Sequence, residues 1–243
     1  MAQDRLSEAL VVISGASSGI GAATALRFAA SGARIALLAR RTEKLTELAG
    51  EIGDRGGTGF PVTADVTDPE SITSAIERIG AEHGRIDVLV TAAGFVSPGQ
   101  DLRAWQDMVS VNVTGTLNCV HPALPYLQAA AEGPHGVADL VLISSVAGRA
   151  ARPHNPVYSA TKFAVNAFAE GLRQQVTENY VRVGIVEPGL VATEMTAHSW
   201  PPGAEEHEWL RAEDIADAVE YMVTRGRHAA VNEIMIRPTE QAR

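Results

Sequence analysis

Short apolar runs recur along the chain, and each is followed by a helix-like segment. Continuous apolar runs predict strands that are buried on both faces of a sheet. The predicted strands are 9–14, 35–39, 60–64, 86–90, 140–143, 181–186 and 231–236. The predicted helices are 22–30, 42–52, about 69–82, a long helix from about 101, 156–178 and 212–223.

Strand and helix candidates alternate from one end of the chain to the other. Parallel strands need helical crossovers, and right-handed crossovers place helices on both faces of the sheet. The pattern therefore predicts an α/β fold, a doubly wound parallel sheet of about seven strands of the Rossmann type. Neither a linker-like stretch nor an internal repeat divides the 243 residues. We expect one domain over residues 1–243, with a short substrate lid over about 195–211.

Charge and cysteine content narrow the possible partners. The net charge is −9 and no stretch groups lysines and arginines, which argues against binding to nucleic acid. The apolar run 9–13 is too short for a signal-peptide core or a membrane span, so we expect a soluble, cytoplasmic protein. The seven histidines lack metal-ligand spacing, and the single cysteine, Cys119, is interpreted as a core residue of a helix. We expect a small-molecule partner, no metal, no nucleic acid and no membrane.

Three glycines, Gly15, Gly19 and Gly21, lie between the first predicted strand and the first predicted helix. A tight turn there exposes amide groups, and the helix dipole favours a phosphate at the same place. The spacing Gly-x-x-x-Gly-x-Gly differs from the usual dinucleotide fingerprint, and a plain strand-to-helix turn is the alternative. The position after an amino-terminal strand favours a nucleotide site.

The end of the second predicted strand indicates which nucleotide binds. NAD-selective sites commonly carry an acidic residue there, which accepts hydrogen bonds from the adenosine ribose. In this chain the strand ends at Ala39 and is followed by Arg40 and Arg41. A guanidinium can hold a 2′-phosphate with two hydrogen bonds, so Arg40 favours NADP(H). The alternative is a pair of solvated arginines at a helix start.

Tyr158 and Lys162 lie one turn apart in a predicted helix, so their side chains share one face. A nearby ammonium group stabilises a phenolate, and we expect the pKa of Tyr158 to lie below its usual value of about 10. Tyr158 would then donate and accept protons near neutral pH. Ser145, thirteen residues earlier, adds a hydroxyl to the same candidate site.

Together these motifs resemble the short-chain dehydrogenase/reductase family over nearly the whole chain. The resemblance rests on Ser14-Gly15-x3-Gly19-Ile20-Gly21, Asp65, Gly94, Asn112, Ser145, Tyr158-x3-Lys162 and Pro188-Gly189, in this order. It implies an NADP(H)-dependent oxidoreductase that interconverts a ketone or aldehyde and its alcohol. Tyr158 would protonate the carbonyl oxygen during hydride transfer, Ser145 would orient that oxygen, and Lys162 would hold the nicotinamide ribose. Asn112 resembles the residue that holds a water for proton relay, the alternative being an amide at a local kink.

The resemblance also assigns the residues that contact the ligands. Those assigned to the cofactor are Gly15, Ser17, Ser18, Gly19, Ile20, Gly21, Arg40, Arg41, Asp65, Val66, Ala92, Ala93, Gly94, Tyr158, Lys162, Pro188, Gly189, Val191 and Thr193. Asp65 is expected to meet the adenine amino group or, alternatively, to cap a helix, and Glu187 to border the nicotinamide. The expected substrate residues are Ser145, His154, Tyr158 and Trp200, with an exposed loop position as the alternative for His154.

Some features depart from the family pattern or leave alternatives open. Thr91-Ala92 stands where the family usually has two asparagines, so amides that steady the central sheet are missing. Small and apolar residues on the helices around Asn112 and Tyr158 would permit close packing between subunits, the alternative being a core helix packed within its own subunit. The resemblance implies a homotetramer or else a dimer. The tail 231–239 is loosely similar to an NADPH-dependent bacterial subgroup that includes clavulanic acid dehydrogenase. The functional alternatives are an NAD(H)-linked alcohol dehydrogenase of the same family and a nucleotide-binding regulator without turnover.

Overall fold

A computed structural model of the chain describes residues 5–197 and 208–241. Within these residues seven strands form one sheet, in which every neighbouring pair is parallel. The strands are β1 (Leu10–Ser14), β2 (Arg34–Ala39), β3 (Thr58–Thr63), β4 (Val88–Thr91), β5 (Ala138–Ile143), β6 (Val181–Pro188) and β7 (Glu233–Ile236). Their order across the sheet is β3-β2-β1-β4-β5-β6-β7, so the winding direction reverses between β1 and β4.

Helices cover both faces of the sheet. They are α1 (Gly19–Ala30), α2 (Thr42–Asp54), α3 (Pro69–His83), α4 (Leu102–Val109), α5 (Gly115–Ala131), α6 (Pro156–Val176), α7 (Glu194–Ala197) and α8 (Ala212–Val223). Buried side chains of α1, α2 and α8, among them Phe28, Leu45 and Val219, pack against one face. Those of α3, α5 and α6, among them Ile76 and Leu127, pack against the other. The predicted doubly wound parallel sheet of Rossmann type is confirmed, and it forms a single domain.

Side-chain caps fix the amino-terminal ends of several helices, among them α3 and α6. Asp68 accepts hydrogen bonds from the backbone N–H groups of Glu70 and Ser71, and a proline fills the first position of α3, as the sequence predicted. At the start of α6, Asn155 accepts the backbone N–H of Tyr158 at 3.1 Å, again next to a proline. This second cap fixes the helical turn that carries Tyr158.

Predicted and observed element ends differ by a few residues. α6 ends at Val176 because a 3₁₀ turn, Thr177–Asn179, and the left-handed Tyr180, at φ +56°, redirect the chain into β6. β7 begins at Glu233, two residues later than the sequence predicted. Among the helices of the described residues, none has both the length and the apolar composition needed to cross a membrane.

The helix predicted from about residue 101 is not a uniform α-helix. A π-helical segment, Ser110–Thr114, joins α4 to α5. Such segments insert an extra residue into a turn and frequently occur at functional sites. Asn112 lies in the middle of this segment, with its side chain buried.

The carboxyl ends of β1 and β4 lie side by side where the strand order reverses. The helices that follow these two strands pack on opposite faces of the sheet, so the strand ends open into a crevice. Ligands of doubly wound folds bind at this position.

Candidate active site

A cleft of about 310 Å³ opens at the carboxyl ends of the central strands. It collects most of the residues that the sequence assigned to cofactor or substrate. Those on its walls are Gly15, Ser17, Ser18, Gly19, Ile20, Arg40, Arg41, Asp65, Val66, Ala92, Ala93, Gly94, Ser145, Tyr158, Lys162, Pro188, Gly189, Val191 and Thr193. Gly21, Asn112 and His154 lie outside this lining, and Trp200 falls outside the described residues. The residues on the cleft walls therefore share one site, as their predicted roles require. The individual roles stay predictions.

The loop after β1 requires glycine at two positions. Gly15 has a φ of +73°, and a Cβ on it would lie 2.5 Å from the backbone nitrogen of Ala93. A Cβ on Gly21 would collide with the carbonyl oxygen of Gly15. The loop thus brings the amino-terminal turn of α1 to the cleft, and Ser18, its N-cap residue, leaves that turn without a side-chain cap. Free N–H groups and the helix dipole favour an anion there.

Arg41, rather than Arg40, contacts the glycine loop. Its guanidinium donates to the hydroxyl of Ser17 at 3.0 and 3.1 Å and to that of Ser18 at 2.7 Å. The side chain of Arg40 is largely exposed, and its ion pair with Asp65 is longer, at 3.8 Å. Both guanidinium groups line the cleft. The sequence prediction attached a phosphate mainly to Arg40, and that role stays a prediction.

Asp65 stabilises the turn that follows β3. One carboxylate oxygen accepts the backbone N–H of Thr67 at 2.9 Å and its hydroxyl at 2.8 Å. The alternative of a helix cap is not observed, because Asp68 caps α3. The next carbonyl, that of Val66, accepts the side-chain amide of Asn118 on α5 at 2.9 Å. Sequence reasoning missed Asn118, since a polar residue within a helix gives no sign of its partner.

Ser145, Tyr158 and Lys162 come together on one wall of the cleft. Ser145 follows β5, and its hydroxyl donates to the carbonyl oxygen of Pro188 at 3.4 Å. The ammonium nitrogen of Lys162 lies 5.7 Å from the centre of the Tyr158 ring. The same nitrogen donates to the carbonyl oxygen of Ile143 at 2.9 Å, which anchors the lysine to the end of β5.

Burial sets the proton affinities of the phenol and the amine. It raises the pKa of Tyr158 above its ordinary value, while a hydrogen bond with Ser145 acts in the opposite direction. It lowers the pKa of Lys162 to about 8, because a charged ammonium is poorly solvated there. The expectation that Lys162 holds the pKa of Tyr158 below 10 is therefore wrong, since desolvation of the phenol outweighs the hydrogen bond with Ser145. Tyr158 is protonated at neutral pH and is suited to donate a proton.

Asn112 is held by three hydrogen bonds. Its Oδ1 accepts the backbone N–H of Phe95 at 2.7 Å, and its Nδ2 donates to the carbonyl oxygen of Phe95 at 2.8 Å. Nδ2 also donates to the hydroxyl of Thr161 at 3.1 Å, so one amide ties the loop after β4 to α6. This geometry supports the alternative of an amide at a local kink, and the water relay stays a prediction.

A buried polar network lies behind the candidate catalytic serine. Glu187 is 1% exposed, and its Oε1 accepts Arg149 Nε and Asn166 Nδ2, both at 2.7 Å. Asn166 Oδ1 accepts the hydroxyl of Ser144 at 2.5 Å. Glu187 is not among the residues that line the cleft, and its carboxylate is occupied by this network, so a place beside the nicotinamide stays a prediction. The one sign of this network in the sequence is an acidic residue at the end of an apolar strand.

The replacement of two family asparagines by Thr91-Ala92 leaves the backbone of the site intact. The N–H of Ala92 donates to the carbonyl oxygen of Ser14 at 3.1 Å, which joins the ends of β1 and β4. Thr91 is buried at the end of β4. Nearby on α5, burial raises the pKa of the Cys119 thiol to about 12, which confirms its interpretation as a core residue.

Several cleft-lining residues were not predicted. They are Ala39, Ala64, Phe95, Val111, Ile143, Ser144, Glu194, Met195 and Thr196. Phe95 and Met195 are each more than a third exposed and give the cleft an apolar part. His154 is exposed in the loop before α6, in agreement with the alternative of a loop position. The predicted lid is described only in part. Residues 198–207, which include Trp200, lie outside the described residues.

Comparison with known proteins identifies relatives of the whole chain. The family model of the short chain dehydrogenase matches residues 9–202. An uncharacterized oxidoreductase of Staphylococcus epidermidis is 34% identical over 238 residues, which cover 96% of this chain and 99% of the relative. The Mus musculus protein named dehydrogenase/reductase SDR family member 11 is 34% identical over 255 residues, which cover 98% of this chain and 97% of the relative.

Two similar solved structures contain nucleotides. A metagenomic short-chain oxidoreductase (SDR) in complex with NADP has a TM-score of 0.82 and 30% identity, covering 97% of this chain and 99% of that one. An alcohol dehydrogenase from the archaeon Thermococcus sibiricus, complexed with 5-hydroxy-NADP, has a TM-score of 0.85 and 25% identity, covering 97% and 98%.

Proposed function

Because the chain belongs to the short-chain dehydrogenase/reductase family, we propose that it is an NADP(H)-dependent oxidoreductase that interconverts a ketone or aldehyde and its alcohol. The observation that carries the proposal is the convergence of Ser145, Tyr158 and Lys162 with the glycine loop on one cleft. A proton donor, an orienting hydroxyl and a phosphate-binding turn are what hydride transfer to a carbonyl requires of a protein.

The residues around the glycine loop fit a dinucleotide with a 2′-phosphate. The turn of α1 at the cleft has no side-chain cap, and two guanidinium groups, those of Arg40 and Arg41, line the adjacent wall. β2 ends without a carboxylate that would repel the phosphate. The NADP and 5-hydroxy-NADP complexes of two similar structures support the same nucleotide. When bound, the nicotinamide would supply or accept the hydride.

Tyr158 holds the proton in this proposal. The phenol is protonated at neutral pH, as a general acid must be before it donates to a carbonyl oxygen, although its raised pKa makes it a weaker acid. Ser145 would hydrogen-bond the same oxygen and orient it. Lys162 would bind the nicotinamide ribose and place a positive charge near the phenolate that forms. Because the pKa of Lys162 is about 8, this charge is lost above that pH, and we expect reduction to slow there.

A panel of ketones and aldehydes tests the proposal, with NADPH and with NADH, followed by the absorbance of the reduced nicotinamide. We expect at least one carbonyl compound to be reduced, and faster with NADPH. Turnover with NADH alone would instead favour the NAD(H)-linked alternative. Binding of NADPH without turnover of any carbonyl or alcohol would favour a nucleotide-binding regulator.

Two arginine variants test which residue selects the cofactor. Arg41→Ala should raise the Kd of NADPH roughly 10- to 100-fold and that of NADH much less, because a charge-assisted hydrogen bond to phosphate is lost. Arg40→Ala should have a smaller effect, since its side chain is more exposed. Arg55→Ala, at the far end of α2, is the control. Equal effects of Arg41→Ala on both nucleotides would contradict the assignment of NADP(H).

We further propose that the chain forms a homo-oligomer, a tetramer or else a dimer, through α4, α5 and α6. Leu102, Trp105 and Val109 follow one another at helical spacing on one face of α4 and are exposed. Leu117 on α5 and Phe163 on α6 add exposed apolar surface. Light scattering tests this proposal, and a monomeric mass would contradict it. A cytoplasmic location stays a prediction from the sequence.

A further inference from the structure

Glu194, the first residue of α7, places a carboxylate beside the arginine proposed to bind phosphate. Its Oε2 accepts Arg41 Nη1 at 2.9 Å. The same guanidinium donates to the hydroxyls of Ser17 and Ser18 on the glycine loop, and Ser18 also hydrogen-bonds Glu194, so one cation and one hydroxyl form a cradle for the carboxylate. Hydrogen bonds from Arg41 and Ser18 lower the pKa of Glu194, which keeps it ionised at neutral pH.

We propose that Glu194 is an intramolecular competitor for the 2′-phosphate of the cofactor, and that it thereby tunes the selectivity for NADP(H) over NAD(H). The inference rests on the proposed function, since it takes NADP(H) as the ligand. A phosphate would use the same donors that Glu194 now occupies, above all the guanidinium of Arg41. A phosphate and a carboxylate would repel each other beside the same guanidinium, so binding of the phosphate would displace the carboxylate.

The surroundings of Glu194 allow this displacement. Its side chain is 61% exposed, so it can rotate into solvent without losing buried contacts. The preceding residue, Thr193, lies against the glycine loop, where a Cβ on Gly19 would be 3.2 Å from its methyl group. Lys44 is the other cation that stabilises the charge of Glu194. The backbone of the α7 turn can therefore stay in place while its carboxylate leaves the cradle.

The expected effect is modest, because the pair is exposed. Ion pairs of this kind change equilibria by roughly two- to five-fold. Removing the charge of Glu194 should change the Kd only of ligands that carry a 2′-phosphate, since NADH has no group that binds in this cradle. The effect should also decrease as the salt concentration rises.

Calorimetric titration of the full chain with NADPH, NADH and adenosine 2′,5′-bisphosphate tests the inference. In Glu194→Gln the Kd of NADPH and of the bisphosphate should fall roughly two- to five-fold, and that of NADH should not change. Glu51→Gln is the matched control, because it removes one carboxylate from an exposed ion pair with Arg55 on α2. It should leave all three constants unchanged.

A double variant separates competition from a general charge effect. If Glu194 acts through Arg41, adding Glu194→Gln to Arg41→Ala should not change the Kd of NADPH further. An unchanged or higher Kd of NADPH in the single Glu194→Gln variant would overturn the inference and leave the proposed function standing. A wild-type protein that binds NADPH no better than NADH would overturn the proposed cofactor, and the inference with it, before any variant is compared.

Discussion

Lys162 carries a buried positive charge, and removing it should stabilise the fold. Burial lowers the pKa of this 5% exposed residue from 10.5 to about 8. At about 1.4 kcal/mol for each pH unit, the difference corresponds to about 3 kcal/mol of unfavourable burial. The hydrogen bond to Ile143 offsets part of this cost. Lys162→Met, which keeps the length of the side chain, should therefore raise the free energy of unfolding by about 1–2 kcal/mol near neutral pH.

The pH dependence gives this prediction a sign that can be checked. Because folding lowers the pKa of Lys162, the full cost of burying its charge is present below about pH 8. Between about pH 8 and 10.5 the folded protein releases the proton before the unfolded chain does, so the stability of the wild type rises. Lys162→Met lacks this group. The variant's advantage of about 1–2 kcal/mol should therefore turn into a disadvantage of about 1–2 kcal/mol as pH rises through this range, a total change of about 3 kcal/mol.

Urea denaturation at several pH values, at one protein concentration, measures the difference in unfolding free energy. Comparing variant with wild type cancels the other titrating groups, which the two proteins share. Lys44→Met is the matched control, because that lysine forms an exposed pair with Glu47. A difference between Lys162→Met and wild type that does not change with pH would refute the reasoning. It would mean that Lys162 is not charged and desolvated in the folded protein.

Three further substitutions test the loop, the buried network and the π-helical segment by urea denaturation. Gly15→Ala should lower the unfolding free energy by roughly 1–3 kcal/mol, because the φ of +73° at this position is strained for alanine. The control is Gly50→Ala on an open helix surface, which should raise the unfolding free energy by about 0.5–1 kcal/mol. Arg149→Met should cost roughly 1–3 kcal/mol, since the buried carboxylate of Glu187 loses a donor, and a neutral result would contradict the role of this network. Asn112→Ala should cost roughly 2–3 kcal/mol through three lost hydrogen bonds, and unchanged stability would mean that these bonds do not hold the kink.

The strands and their parallel pairing could be predicted because their causes are local. A strand buried on both faces needs a continuous apolar run such as Leu10–Ser14, and parallel pairing follows from the helices between such runs. The start of α3 could also be predicted, because aspartate is a residue type that commonly caps helices and Asp68 does cap this one. The π-helical segment was not, because it depends on the partners that Asn112 finds in the loop after β4 and on α6.

Within the candidate site, the motifs predicted which residues meet, but not their pKa values or their hydrogen-bond partners. The sequence placed Tyr158 beside Lys162, yet the direction of the tyrosine pKa depends on burial, which is a property of the whole fold. Glu187 was placed at the end of its strand but not in its network, since Arg149 and Asn166 lie far away in sequence. Glu194 gave no signal at all. Its partner Arg41 is 153 residues away in sequence and meets it only in the folded chain.

The central claim is that Tyr158 donates a proton to a carbonyl oxygen held beside the bound nicotinamide. The most direct measurement is the single-turnover loss of reduced-nicotinamide absorbance with a carbonyl substrate, comparing wild type with Tyr158→Phe at saturating NADPH. Removal of the hydroxyl should slow this step roughly 10²- to 10⁴-fold while NADPH still binds. Tyr221→Phe, at an exposed tyrosine of α8, should leave the rate unchanged. A Tyr158→Phe variant that reduces the substrate at the wild-type rate would contradict the claim.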